Sequence, residues 1–189
     1  NYDEKFWDEV EKRTSNSEAY VTLATKKTNF HVCTGQKVFV TQDGGNIEFS
    51  SNQLERTKYV ENSITIDAKE GEEIVVYKYA CNISSENHPK DQLMSRAETV
   101  LNTVSDKGFE KMMKEQKEAW AHRWEMNDIV IEGDVAAQQA IRFNIFQLNQ
   151  TYTGEDPRLN IGPKGFTGEK YGGSTYWDTE AYCLPFYML

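Results

Sequence analysis

The hydrophobic period of this chain changes once, at Pro89, and that change constrains its fold more than any other feature. Before it, in residues 19–83, short segments rich in Val, Ile, Thr, Tyr and Phe are separated by polar or glycine-bearing breaks, a pattern of β-strands at sandwich spacing. The expected strands are Tyr20–Ala24, Phe30–Thr34, Lys37–Val40, Asn46–Ser50, Ser63–Asp67 and Glu73–Ile83. Among them, Asp43-Gly44-Gly45-Asn46 is the clearest turn, because Asp-Gly pairs suit tight hairpins. In the last strand Val75, Tyr77, Tyr79 and Cys81 share one face and Ile74, Val76, Lys78 and Ala80 the other, so both faces are expected to be mostly covered. Phe6-Trp7-Asp8-Glu9-Val10 fits a short helix or a loop, and its residues do not decide between them.

Beyond Pro89 apolar residues recur at helical spacing: Leu93, Ala97, Val100, Leu101 and Val104, then Phe109, Met113, Trp120 and Trp124 after a break at Ser105–Gly108. Two helices are expected. The chain then turns extended through Ile129-Val130-Ile131, and Asp134 stands where a cap belongs before a third helix over Val135–Tyr152, with Ala137, Ile141, Ile145 and Leu148 on one stripe. Strands first and helices afterwards describe a multidomain chain, β then α. The expected division is an all-β part over 1–88, a helical linker over 89–128 and the start of an all-α domain over 129–189.

Charge narrows the partners. Lys+Arg number 21 against 30 Asp+Glu, a formal net charge of -9, which repels nucleic acid and an anionic membrane surface alike. No apolar run approaches the roughly 20 residues of a bilayer span, and residues 1–20 show no basic-then-apolar signal pattern. The cysteines, Cys33, Cys81 and Cys183, are odd in number and lack CxxC spacing, so they read as buried thiols in a reducing compartment, the cytoplasm. The chain opens at Asn1 and closes on apolar Cys183-Leu184-Pro185-Phe186-Tyr187-Met188-Leu189, from which a fragment cut inside a domain is expected.

A loop over 153–175, holding Gly154, Gly162, Gly165, Gly168, Gly172 and Gly173 with Pro157 and Pro163, delivers Tyr176-Trp177-Asp178-Thr179-Glu180. A tryptophan face stacks on the apolar face of a sugar ring, and a neighbouring carboxylate accepts hydrogen bonds from two adjacent hydroxyls. The same residues also suit a core tryptophan with Asp178 as a helix N-cap and Thr179 and Glu180 in the first turn. Spacing leaves both open. Asp178 and Glu180 are a poor hydrolytic pair, because residues two apart on a helix point about 200° apart. The glycine loop lacks Walker spacing, and no Gly-x-Ser-x-Gly elbow supports a serine nucleophile. His31, His88 and His122 are far apart with no ligand spacing, so no metal is expected. Trp120, Arg123 and Trp124 lie near one helical stripe and read as packing. The sequons Asn82-Ile83-Ser84 and Asn149-Gln150-Thr151 carry no meaning in a cytoplasmic chain.

The run Gly162-Pro163-Lys164-Gly165-Phe166-Thr167-Gly168-Glu169, then Tyr171-Gly172-Gly173-Ser174-Thr175-Tyr176-Trp177-Asp178-Thr179-Glu180, closely resembles glycoside hydrolase family 65 in its maltose-cleaving branch. Upstream, Ile131-Glu132-Gly133-Asp134 with Gln138, Gln139, Arg142 and Phe143 is similar to the family's entry into its (α/α)6 barrel. The resemblance is specific over residues 131–187 and looser in the strand region. It implies an N-terminal β-sandwich, a helical linker and the first part of an (α/α)6 barrel. The implied enzyme is an inverting phosphorylase that splits maltose with inorganic phosphate as co-substrate, gives β-glucose 1-phosphate and glucose, uses no other cofactor and is homodimeric at full length. Trp177 and Asp178 would hold the glucosyl unit, with Tyr176, Glu180, Gly172 and Gly173 as further pocket residues. The implied general acid and phosphate ligands lie beyond Leu189, so no catalytic residue is expected in this chain and the chain alone is expected to be inactive. Trehalose or kojibiose phosphorolysis is the alternative within the family; a non-catalytic carbohydrate-binding module is the alternative outside it.

Overall fold

The computed structural model describes residues 5–162 and 174–188, and the chain divides into two compact units, one through Glu115 and the other from Gln116 onward. No helix among the described residues is long and apolar enough to cross a membrane. The order is a β-rich unit followed by helices.

In the first unit the long strand β3 (His31–Gln42) is the spine of a five-stranded antiparallel sheet. Strand β7 (Ile74–Ser84) pairs with it from Val32 to Gln42, which leaves the other edge to β2 (Glu18–Thr25) along its first half and to β4 (Gly45–Ile47) at its end. The two strands expected at Phe30–Thr34 and Lys37–Val40 are therefore one. Gly35, read as punctuation, lies inside it for a steric reason: a Cβ there would stand 2.8 Å from Cδ1 of Tyr20 and 3.1 Å from Cδ1 of Leu101. The expected turn is present, with Asp43 and Gly44 both at positive φ between Gln42 and its partner Gly45, as a type I′ hairpin requires.

Three strands escape the hydrophobic pattern. The opening segment is neither helix nor loop but β1 (Trp7–Thr14), which pairs with β2 through a bulge between Glu9 and Glu11. Its charged residues suit an edge strand, where side chains stay in water and discourage further pairing. Strands β5 (Ser51–Arg56) and β6 (Tyr59–Ile64) form a separate hairpin, where strands had been expected at Asn46–Ser50 and Ser63–Asp67. Asn16 ties this hairpin to the β1–β2 turn: its side chain donates to the Phe49 carbonyl at 2.6 Å and accepts from the Ser51 amide at 2.7 Å.

One sheet face is covered by helix α1 (Leu93–Lys107), whose Leu93, Ala97 and Leu101 join Tyr20, Cys33 and Ile83 in a fully or nearly fully buried core. Burial of the Tyr20 hydroxyl is compensated by its bond to Glu18 Oε2 at 3.1 Å. The opposite face of β7 is not covered among the described residues, since Val76 is 57% exposed and Lys78 and Ala80 are also exposed; this corrects the expectation that both faces of that strand are filled. Gly108, at φ 82°, ends α1 with its amide on the Val104 carbonyl, and α2 (Phe109–Asn127) follows at once.

In the second unit Trp120 stands 6.0 Å from Trp124 and 4.9 Å from Phe146, ring to ring, so these indoles pack against helix α3 (Val135–Thr151). The Asp134 carboxylate accepts from the Ala137 amide at 3.0 Å and caps α3 as expected. The extended segment before it is clamped from α3: Gln138 accepts from the Ile131 amide at 2.6 Å and donates to the Ile129 carbonyl at 2.8 Å. Arg142 grips Asp128 with two bonds of 2.8 and 2.6 Å, which holds that carboxyl below its ordinary range.

Candidate functional site

The Trp177-Asp178 pair opens a short helical run in which a π-turn (Thr179–Cys183) leads into α4 (Leu184–Met188). Local widening of this kind occurs often at functional sites, because the extra residue per turn re-aims side chains. Three bonds set its position within the second unit. Thr179, 4% exposed, donates from Oγ1 to the Ile161 carbonyl at 2.9 Å. Asn160 donates to the Thr175 hydroxyl at 3.0 Å. The Tyr187 hydroxyl donates to the Leu148 carbonyl at 2.8 Å, and its ring meets Tyr152 edge to face at 5.5 Å. The run is thus pinned from the loop on one side and from the end of α3 on the other.

These anchors leave an aromatic and acidic surface outside. Trp177 is 83% exposed, and Tyr176, Asp178 and Glu180 are exposed beside it. The core-tryptophan alternative does not hold in this chain. Nor does Asp178 act as an N-cap: its backbone is helical, φ -60° and ψ -31°, and its side chain makes no capping bond. The carboxylate is near enough to Cys183 to help push that thiol's pKa up, after burial, which is the larger cause. An exposed indole face and an adjacent carboxylate uncommitted among the described residues can take the apolar face and the hydroxyl edge of a pyranose.

Gly172 and Gly173, with Pro163, Gly165 and Gly168 of the same run, lie outside the described residues. The histidines are engaged separately: His31 Nε2 meets Asn29 Oδ1 at 2.8 Å, and exposed His122 stands 3.7 Å from Glu125. Arg123 pairs with Glu155 at 3.3 Å. The residues that sequence reasoning passed over are the anchors, Thr179, Asn160 and Tyr187. A signal for Thr179 was present, as a small hydroxyl residue enclosed by Trp177, Asp178 and Glu180, but its partner Ile161 lies eighteen residues away.

Residues 1–123 match the N-terminal domain of glycosyl hydrolase family 65, and residues 142–189 match that family's central catalytic domain. The chain is 38% identical to the maltose phosphorylase of Bacillus subtilis (strain 168) over 190 residues, covering 100% of this chain and 24% of the relative. It is 32% identical to an alpha,alpha-trehalose phosphorylase of Thermoanaerobacter brockii, covering 95% and 23%, and 30% identical to a kojibiose phosphorylase of the same organism, covering 92% and 23%. A solved structure described as a kojibiose phosphorylase from the human microbiome superposes with a TM-score of 0.81 at 30% identity, covering 97% of this chain and 24% of that one. The chain spans about a quarter of the length of the relatives it matches.

Proposed function

This chain belongs to glycosyl hydrolase family 65, and on that premise we propose that it is part of an inverting disaccharide phosphorylase that cleaves maltose with inorganic phosphate. The observation that carries the site is the exposed Trp177 beside an Asp178 that caps nothing. Trp177 stacks on the glucosyl ring and Asp178 accepts hydrogen bonds from its hydroxyls. Their role is positioning, which lowers the barrier by holding the ring in a reactive geometry. Tyr176 and Glu180 border the same subsite, and Gly172 and Gly173, outside the described residues, are its further proposed members. The general acid and the phosphate ligands come from the rest of an (α/α)6 barrel begun by residues 129–189. Phosphate is itself the nucleophile, so one protonated carboxyl suffices and no carboxylate base is needed.

Maltose is preferred because the maltose phosphorylase relative is 38% identical over 100% of this chain, whereas a kojibiose phosphorylase reaches the same 38% over only 61% of it and the trehalose phosphorylase 32% over 95%. The match of residues 142–189 to a catalytic domain argues against a free-standing carbohydrate-binding module. Three free thiols and a net charge of -9 support a cytoplasmic enzyme with no nucleic-acid or membrane partner, and a homodimer is the proposed assembly.

The test uses the full-length enzyme. Trp177→Ala and Asp178→Asn should each lower kcat/KM for maltose phosphorolysis by roughly 10²-fold, about 3 kcal/mol at the barrier, with the melting temperature of Asp178→Asn unchanged. Near-normal kcat/KM in the Asp178 variant moves that residue out of the subsite. Faster phosphorolysis of trehalose or kojibiose than of maltose by the parent enzyme overturns the substrate assignment. The 189 residues alone should release no glucose 1-phosphate above a heat-killed control.

A further inference from the structure

Four aromatic rings in the first unit border an open space as well as one another. Phe39 on β3 and Tyr77 and Tyr79 on β7 floor a cleft of about 530 Å³, and Phe109, the first residue of α2, walls it. Phe39 and Tyr77 are direct partners across the ladder, and the Phe39 and Tyr79 rings meet edge to face at 6.1 Å. Tyr77 and Phe109 stand 6.1 Å apart at 53°, with Phe109 46% exposed. In a closed core such rings interdigitate and leave few voids. The alternation of Tyr77 and Tyr79 with polar neighbours reads as a core face in sequence, yet here that face ends in an open cleft of a size that holds small ligands.

The polar groups at the cleft narrow the ligand class. The hydroxyls of Tyr77 and Tyr79 make no hydrogen bond to a described residue, and the Asp106 carboxylate and the Asn46 amide at the rim are likewise uncommitted among the described residues. Lys107 is engaged by Glu115 at 2.7 Å, and Lys111, whose charge also acts on Glu115, lines the cleft together with the acidic Asp106 and Glu110. That balance gives no attraction for phosphate or a polyanion. Aromatic faces with uncharged donors and acceptors and one free carboxylate at the edge suit a neutral ring that has an apolar face and a hydroxyl rim.

We propose that the cleft between the β3–β7 sheet and the α1–α2 corner is a second carbohydrate-binding site, taking neutral α-glucosides and separate from Trp177-Asp178. The choice of glucosyl rings rests on the function proposed above; the site itself rests on the cleft alone. The test is a titration of the full chain, labelled at Phe and Tyr side chains, with maltose and maltotriose, followed by NMR. The ring signals of Tyr77, Tyr79 and Phe109 should shift saturably, with the same dissociation constant in Trp177→Ala. Phe109→Ala should weaken binding about ten-fold, and Tyr77→Phe, which keeps the ring and its packing, about three-fold. Absence of saturable shifts at these rings, their loss in Trp177→Ala, or unaltered affinity in both cleft variants overturns the proposal. If Phe109→Ala does not fold, Tyr77→Phe decides alone. Shifts confined to Tyr176 and Tyr182, near Trp177 in sequence, sustain the Trp177-Asp178 subsite while removing this one.

Discussion

A single methyl group at position 35 would collide with the ring of Tyr20 and the side chain of Leu101. Both are fully buried and close the core between sheet and helix, so neither has room to retreat. Gly35→Ala should therefore destabilise the chain by about 1–3 kcal/mol, the usual cost of overpacking, measured by urea unfolding; an unchanged midpoint would mean that the core yields. Cys33, fully buried in the same cluster, carries a thiol that burial pushes above its ordinary value of 9.0. The fold favours the neutral thiol. Its contribution is whole below the thiol value of the unfolded chain and is lost as pH rises through that value toward the folded one. As pH rises above 9.0, Cys33→Ala should lose less unfolding free energy than the parent, and parallel losses would assign the alkaline weakening to other groups.

Helix α3 shows how far local chemistry reaches at the scale of an element. Its start was legible because a cap is decided within three residues: Asp134 accepts from the Ala137 amide and nothing distant is needed. Asp134→Ala should cost about 1 kcal/mol in thermal or chemical unfolding, and Asp134→Asn, which can still accept, much less. Equal losses in the two variants would point to charge rather than capping. The same rule could not decide at Asp178, since the residue takes a helical backbone and its side chain makes no capping bond. Strands β1, β5 and β6 were illegible or misplaced for a related reason. Their residues, WDEVEKRT, SNQLER and YVENSI, are mostly polar or charged, so they carry too few apolar side chains to show a two-residue hydrophobic period. Their placement comes from ladder partners and from Asn16, whose bonds span more than thirty residues.

At the scale of the molecule, the change of period at Pro89 foretold strands before helices, and the structure has that order. Membership of glycosyl hydrolase family 65 was legible in the run ending at Trp177-Asp178-Thr179-Glu180, and the match of residues 1–123 extends it to the strand region, where the motif resemblance was loose. Period, capping and turn chemistry depend on neighbours within a few residues, so the sequence by itself determined the order of elements, the cap of α3 and the Asp43-Gly44 hairpin. Burial depends on what lies across a sheet or beside a loop, often dozens of residues away. Only the tertiary structure decided that β3 runs unbroken through Gly35, that Trp177 stands in solvent while Thr179 is buried beneath it, and that Tyr77 and Tyr79 face an open cleft instead of a filled core. The physical reason is the same in each case: an aromatic or small residue is compatible with core, surface or cleft, and the choice is made by the atoms that the rest of the fold does or does not bring against it.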